Sequence, residues 1–134
     1  METVKIEYLG DLRTECLHVK SGTKIMTDAP TDNKGKGEKF SPTDLVATAF
    51  GACMVSLIGI YCQENDLNFV KGSVSVEKIM KSNPRRIGQL NFVMDLKVND
   101  WNEKTQKKII RVAETCPVAK SIDPNIIVNI DFQF

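Results

Sequence analysis

An imbalance of charge is the first thing this sequence lacks: 18 Lys and Arg stand against 17 Asp and Glu, a formal net charge of +1 over 134 residues. Without an excess of basic side chains there is no broad electrostatic footprint for a phosphate backbone, so nucleic acid is not an expected partner. Histidine occurs once, at His18, and the four cysteines, at positions 16, 53, 62 and 116, contain no Cys-x-x-Cys pair. Zinc loops draw their ligands in closely spaced pairs, so a structural metal site is not expected. Sparse cysteines exclude a disulfide-framework domain, and 42% hydrophobic residues exclude disordered and collagen-like chains. The opening residues Met1 to Ile6 show no basic stretch leading into an apolar one, so the expected location is the cytoplasm. In that compartment cysteines serve as free thiols, in catalysis or on metals more often than in structural bridges. The length predicts one domain, able to bury about 68% of its unfolded surface.

Thr3 to Tyr8, Thr14 to Val19 and, more loosely, Lys24 to Thr27 alternate polar and apolar residues, with turn signals at Leu9-Gly10-Asp11 and Ser21-Gly22. That pattern predicts an antiparallel meander. Asp28 to Lys39 is a polar loop, long enough to be a binding segment as well as a connector. Ser41-Pro42-Thr43-Asp44 then opens a helix: a serine N-cap, a proline at the first helical position and an acid near the unpaired amides. From Leu45 to Cys62 the helix has 18 residues without a charge. This is the edge of membrane-spanning length. The polar cap, two glycines, Thr48 and Ser56, and the alternating strands on either side favour a core helix instead. A helix apolar on every face must be covered all round, and one sheet covers one side. A second subunit is expected on the other, which predicts a homodimer.

Phe69 to Met80 and Ile87 to Val98 predict two long strands joined by a turn at residues 82–86, with Leu90, Phe92, Met94, Leu96 and Val98 on one face. Asp100-Trp101-Asn102-Glu103 opens a helix running to about Thr115. Ile109, Val112, Ala113 and Cys116 form its buried edge, while Lys104, Lys107, Lys108 and Arg111 form a solvated basic stripe. Pro117 interrupts, Val118 to Ile122 is a candidate further helical turn, and Ile126 to Phe134 a last strand. The fold class is α+β.

Two thiols stand out. Cys53 lies about three turns into the apolar helix, beyond the reach of the helix dipole. It is either a small buried hydrophobe or a reactive thiol whose thiolate needs a cation from elsewhere, from Arg13 or from Arg85 and Arg86. Cys116 precedes a proline at a helix break; if the next turn is helical, Cys116 caps it, and amide donors stabilise its thiolate. Cys62 falls on the face of the helix opposite Cys53, and Cys16 lies in a strand, so both are expected to be structural.

Ser41-Pro42-Thr43-Asp44-Leu45 with Ala47 and Gly51-Ala52-Cys53, followed later by Glu114-Thr115-Cys116-Pro117-Val118, resembles the OsmC/Ohr family of bacterial peroxide-detoxifying proteins, in a less characterised OsmC-like branch. The resemblance covers essentially the whole chain. It implies an α+β fold of antiparallel sheets with a long buried central helix, in an intertwined homodimer, and thiol-dependent reduction of organic hydroperoxides without metal, haem or flavin. On that model Cys53 is the peroxidatic thiol and Cys116 the resolving thiol, the reverse assignment ranking second. An external dithiol, in the family sometimes carried on a lipoylated protein, reduces the resulting disulfide. The best-studied members carry glutamate where this chain has Thr43; Asp44 and Glu38 are the two candidates to replace it, and Arg13 is the candidate for the family's arginine. Two other readings stand beside this one: a noncatalytic dimer binding a hydrophobic small molecule, and a redox sensor or thiol transferase.

Overall fold

A computed structural model describes residues 1–134. The chain divides into two compact units, Met1–Val46 and Ala47–Phe134. The N-terminal unit is the expected meander: β1 (Val4–Gly10), β2 (Arg13–His18) and β3 (Lys24–Asp28) pair antiparallel in that order. The loop after β3 is a short 3₁₀ turn (Thr31–Asn33) and a return that lays Phe40 beside Thr27. Gly35 is required there, because a Cβ at that position would lie 1.7 Å from the Ala29 carbonyl oxygen.

Helix α1 (Pro42–Glu64) starts in the N-terminal unit and runs on in the C-terminal one. Its start is a reciprocal cap. The Asp44 amide donates to Ser41 Oγ (3.0 Å), and the Ser41 amide donates to Asp44 Oδ2 (2.9 Å). Ala47, Phe50, Gly51, Met54, Ile58 and Cys62 form a buried stripe at helical spacing. Thr48, Ala49, Ala52, Ser56 and Ile60 are exposed on the other faces. By length and composition this helix matches a membrane span, and 33% of its apolar window is buried within the chain.

In the C-terminal unit β4 (Ser73–Lys81), β5 (Arg86–Asp95) and β6 (Ile127–Gln133) form a second sheet with β5 in the centre. The stripe of α1 packs on it: the Phe50 and Phe92 rings lie 4.9 Å apart, and a Cβ on Gly51 would meet Val74 Cγ1 at 3.2 Å. Leu90, Phe92, Met94 and Leu96 are fully or nearly fully buried, the predicted face of the second long strand. Val98 is not on that face and stands 63% exposed. The strands are also shorter than their alternation predicts, because Asn99 takes over the backbone pairing. Its Oδ1 accepts from the Val70 amide (2.7 Å), and its Nδ2 donates to the Lys71 carbonyl (2.7 Å) and the Leu96 carbonyl (3.0 Å).

Helix α2 (Glu103–Glu114) is capped by Asn102, whose side chain accepts from the Thr105 amide (2.8 Å). The purely antiparallel expectation fails at the last strand: β6 runs parallel to β5. A strand that returns beside its predecessor after a crossover helix points the same way, so β5–α2–β6 makes the second sheet mixed. Val118 to Ile122 is a set of turns and not a helix, with the Lys120 amide donating to the Cys116 carbonyl at 3.3 Å.

Candidate functional site

The four candidate residues fall into two pairs, one in each unit. In the N-terminal unit Arg13 opens β2 and stands opposite Asp28, which ends β3. The guanidinium makes a forked contact, Nε to Asp28 Oδ1 at 2.7 Å and Nη2 to Asp28 Oδ2 at 2.9 Å, and Nη2 also donates to Glu38 Oε1 at 3.0 Å. The Asp28 side chain is wholly buried and also accepts the Glu38 amide on Oδ2 (3.1 Å) and a hydrogen bond from the Lys39 amide. Hydrogen bonding from the Arg13 guanidinium, opposed in part by burial, holds the Asp28 carboxyl at about 2 against an ordinary 3.8, and raises the Arg13 guanidinium in turn. Glu38 is thereby placed from two sides, through its backbone on Asp28 and its side chain on Arg13. Between the two candidates for the missing glutamate, Glu38 is the one that meets Arg13, while Asp44 serves the helix cap.

Asp28 escaped the sequence reading. Its only local signal is a position at the end of an alternating segment; the pairing that matters is with a residue 15 positions earlier, across the β2–β3 register. Of the other cationic candidates, Arg86 donates to the Pro84 carbonyl of its own turn (2.9 Å).

In the C-terminal unit Cys53 and Cys116 come together. One lies on α1 and one just past the end of α2, and the Cys53 thiol is close enough to perturb the ionisation of Cys116. Cys53 is half-buried, whereas Cys116 has no exposed surface and its thiol points at the Phe50 carbonyl, 4.0 Å away. The backbones of Val118 and Ala119 favour the Cys116 thiolate, although they belong to turns and not to the helix on which the capping expectation depended. They are outweighed: burial first, then the contact with Cys53, pushes the Cys116 thiol above its ordinary range. The expectation of a stabilised thiolate at rest is therefore corrected, because low dielectric penalises the charged form more than two amides favour it. Cys62, on the buried stripe, is raised by burial alone. Cys16 lies half-buried on β2 with Thr14 Oγ1 at 3.7 Å. All four cysteines are free, and no cluster of three His, Cys, Asp or Glu side chains is placed to hold a metal ion.

A family model described as OsmC-like protein matches residues 35–131, which takes in the start of α1, both thiols and most of β6. The chain belongs to the OsmC-like protein family. A solved structure from Psychrobacter arcticus 273-4, provisionally described as an osmotic stress induced and detoxification response protein, is 42% identical to this OsmC-like protein with a TM-score of 0.94, covering 99% of this chain and 96% of that one. An organic hydroperoxide resistance protein OsmC from Legionella pneumophila shares the fold at 17% identity and a TM-score of 0.76, over 100% and 98% of the two chains. So does an organic hydroperoxide resistance protein from Elizabethkingia anophelis, at 14% identity and a TM-score of 0.72, over 99% and 96%. Among curated proteins no relative matches this OsmC-like protein.

Proposed function

We propose that this protein is a cysteine-based peroxidase that reduces organic hydroperoxides, acting in the cytoplasm in defence against oxidative stress. The placement of Cys53 beside Cys116, near enough that one perturbs the ionisation of the other, carries the reading. Two cysteines 63 positions apart that serve only as core residues have no need to be neighbours. The Cys53 thiolate attacks the distal oxygen of the hydroperoxide; the O–O bond breaks, the alkoxide leaves and takes a proton as the alcohol, and Cys53 becomes a sulfenic acid. The Cys116 sulfur then attacks the Cys53 sulfur, releasing water and forming a disulfide. An external dithiol, one candidate being a lipoylated protein, returns both to thiols and is itself oxidised.

Accessibility supports the order of roles. A peroxide needs a thiol it can reach, which favours half-exposed Cys53, while a buried sulfur such as Cys116 has only to reach its neighbour. A raised thiol pKa at Cys116 suits a resolving residue that waits protonated until the sulfenic acid appears. Arg13 and Glu38, held by Asp28, are proposed as the charged pair of the reaction. The functional unit is proposed to be a homodimer in which a second copy covers the exposed face of α1, with no membrane and no nucleic acid involved.

The test is kinetic. With cumene hydroperoxide and a dithiol reductant, Cys53→Ser should lose peroxide consumption altogether. Cys116→Ser should keep the first turnover and lose the cycle. A Cys53→Ser protein that still consumes peroxide while Cys116→Ser does not would reverse the roles; activity in both variants would remove the mechanism.

A further inference from the structure

The C-terminal unit holds a cavity whose acidic lining has no role in the thiol chemistry proposed above. It has a volume of about 560 Å³ and lies between Phe50 of α1, α2, the turns at 119–126 and β6. Ile110, Ile122, Ile130 and Phe132 give it apolar walls, and its size falls in the range of small-molecule sites, roughly 300–1,000 Å³. Two charged side chains line it, and both are carboxylates: Glu114 and Asp123. Glu114 is the last residue of α2, where the carbonyl end of the helix already carries negative partial charge. Asp123 is fixed in its turn by the Asn125 amide, which donates to Oδ1 at 2.8 Å. No lysine or arginine lines it: on α2 Lys107 pairs with Glu103 at 3.6 Å, and Arg111 and Lys120 are exposed.

An apolar hollow with two carboxylates and no cation of its own complements one kind of small molecule, an apolar body ending in an ammonium group. We propose that this cavity is a binding site for a hydrophobic amine and that it discriminates against the carboxylate of the same skeleton. The proposal does not rest on the peroxidase reading, since it concerns binding alone, although the cavity borders the surroundings of Cys116 through Phe50, Ala113 and Ala119.

Calorimetric titration of the reduced protein at low ionic strength with 4-phenylbutylamine and with 4-phenylbutyrate tests it, the two probes having matched skeletons and opposite charge. The amine should bind at least about tenfold more tightly, since a unit charge a few ångströms from a carboxylate near a protein surface is worth that much or more. The double variant Glu114→Gln, Asp123→Asn, altered at exposed positions only, should bring the two affinities within about twofold. Ile122→Trp should occupy the hollow and weaken both. Equal binding of the two probes by the unaltered protein, an amine preference that survives the double variant, or no binding of either probe because a second chain fills the hollow would each overturn the proposal.

Discussion

Asp28 shows how a single residue organises its surroundings. Its carboxylate, wholly buried, gathers the Arg13 fork and the Glu38 amide, so loss of its charge removes partners from both. The folded-state value near 2 lies below the ordinary 3.8, so the native state binds fewer protons than the unfolded chain between those values. Its stabilising contribution is present above about pH 4 and is lost as pH falls toward 2. Urea unfolding at pH 7 and pH 3 should show that drop in the unaltered protein and a smaller one in Asp28→Asn, which starts less stable. Equal pH dependence in the two proteins would separate Asp28 from acid sensitivity. Cys116 has the opposite sign. Its raised value means that its contribution is complete below the ordinary thiol range near 9 and is lost as pH rises through the folded value. Iodoacetamide at pH 8 should therefore modify Cys116 far more slowly in the folded than in the denatured protein, read by peptide mapping. The thiols were legible in the sequence because each sits at a place with a local signature, mid-helix on an uncharged run and ahead of a proline. Asp28 was not, because its meaning comes from a partner across the sheet.

The elements themselves divide along the same line between local and distant causes. Both helix starts were readable, since a cap is written in three or four consecutive residues, and both caps form. Ser41→Ala should cost about 1 kcal/mol of stability in thermal or urea unfolding, and Asn102→Ala a similar amount. Ile58, with no exposed surface, should cost roughly 2–5 kcal/mol as alanine, against little for Ile60→Ala on the exposed face of the same helix. The strand limits at Ser73 and Asp95 and the parallel direction of β6 were beyond local reading. The first depends on Asn99 bonding a segment 28 and 29 positions away, the second on where a crossover returns.

At the scale of the whole molecule, the uncharged run of α1 is the fact that one chain leaves unresolved. Its stripe from Ala47 to Cys62 is buried, but Ala49, Ala52 and Ile60 face outward, and Ile60 is 50% exposed. A second copy covering that face predicts a particle of twice the 15.0 kDa chain mass in sedimentation at micromolar concentration. Ala52→Arg should shift it toward the single chain, because a buried unpaired guanidinium has no compensating partner. A 15 kDa species from the unaltered protein would set the dimer aside. The family and its fold were legible from the spacing of short motifs, since the matched region spans the helix start and both thiols.

The proposed cycle requires two sulfurs to react with one another, and that is open to direct measurement. Reduced protein is mixed with one equivalent of cumene hydroperoxide, its free thiols are counted, and any disulfide is located by mass spectrometry of non-reduced peptides. The expected result is the loss of two of the four thiols as a single bridge between Cys53 and Cys116. Four thiols still reduced, or a bridge that includes Cys16 or Cys62, would contradict it.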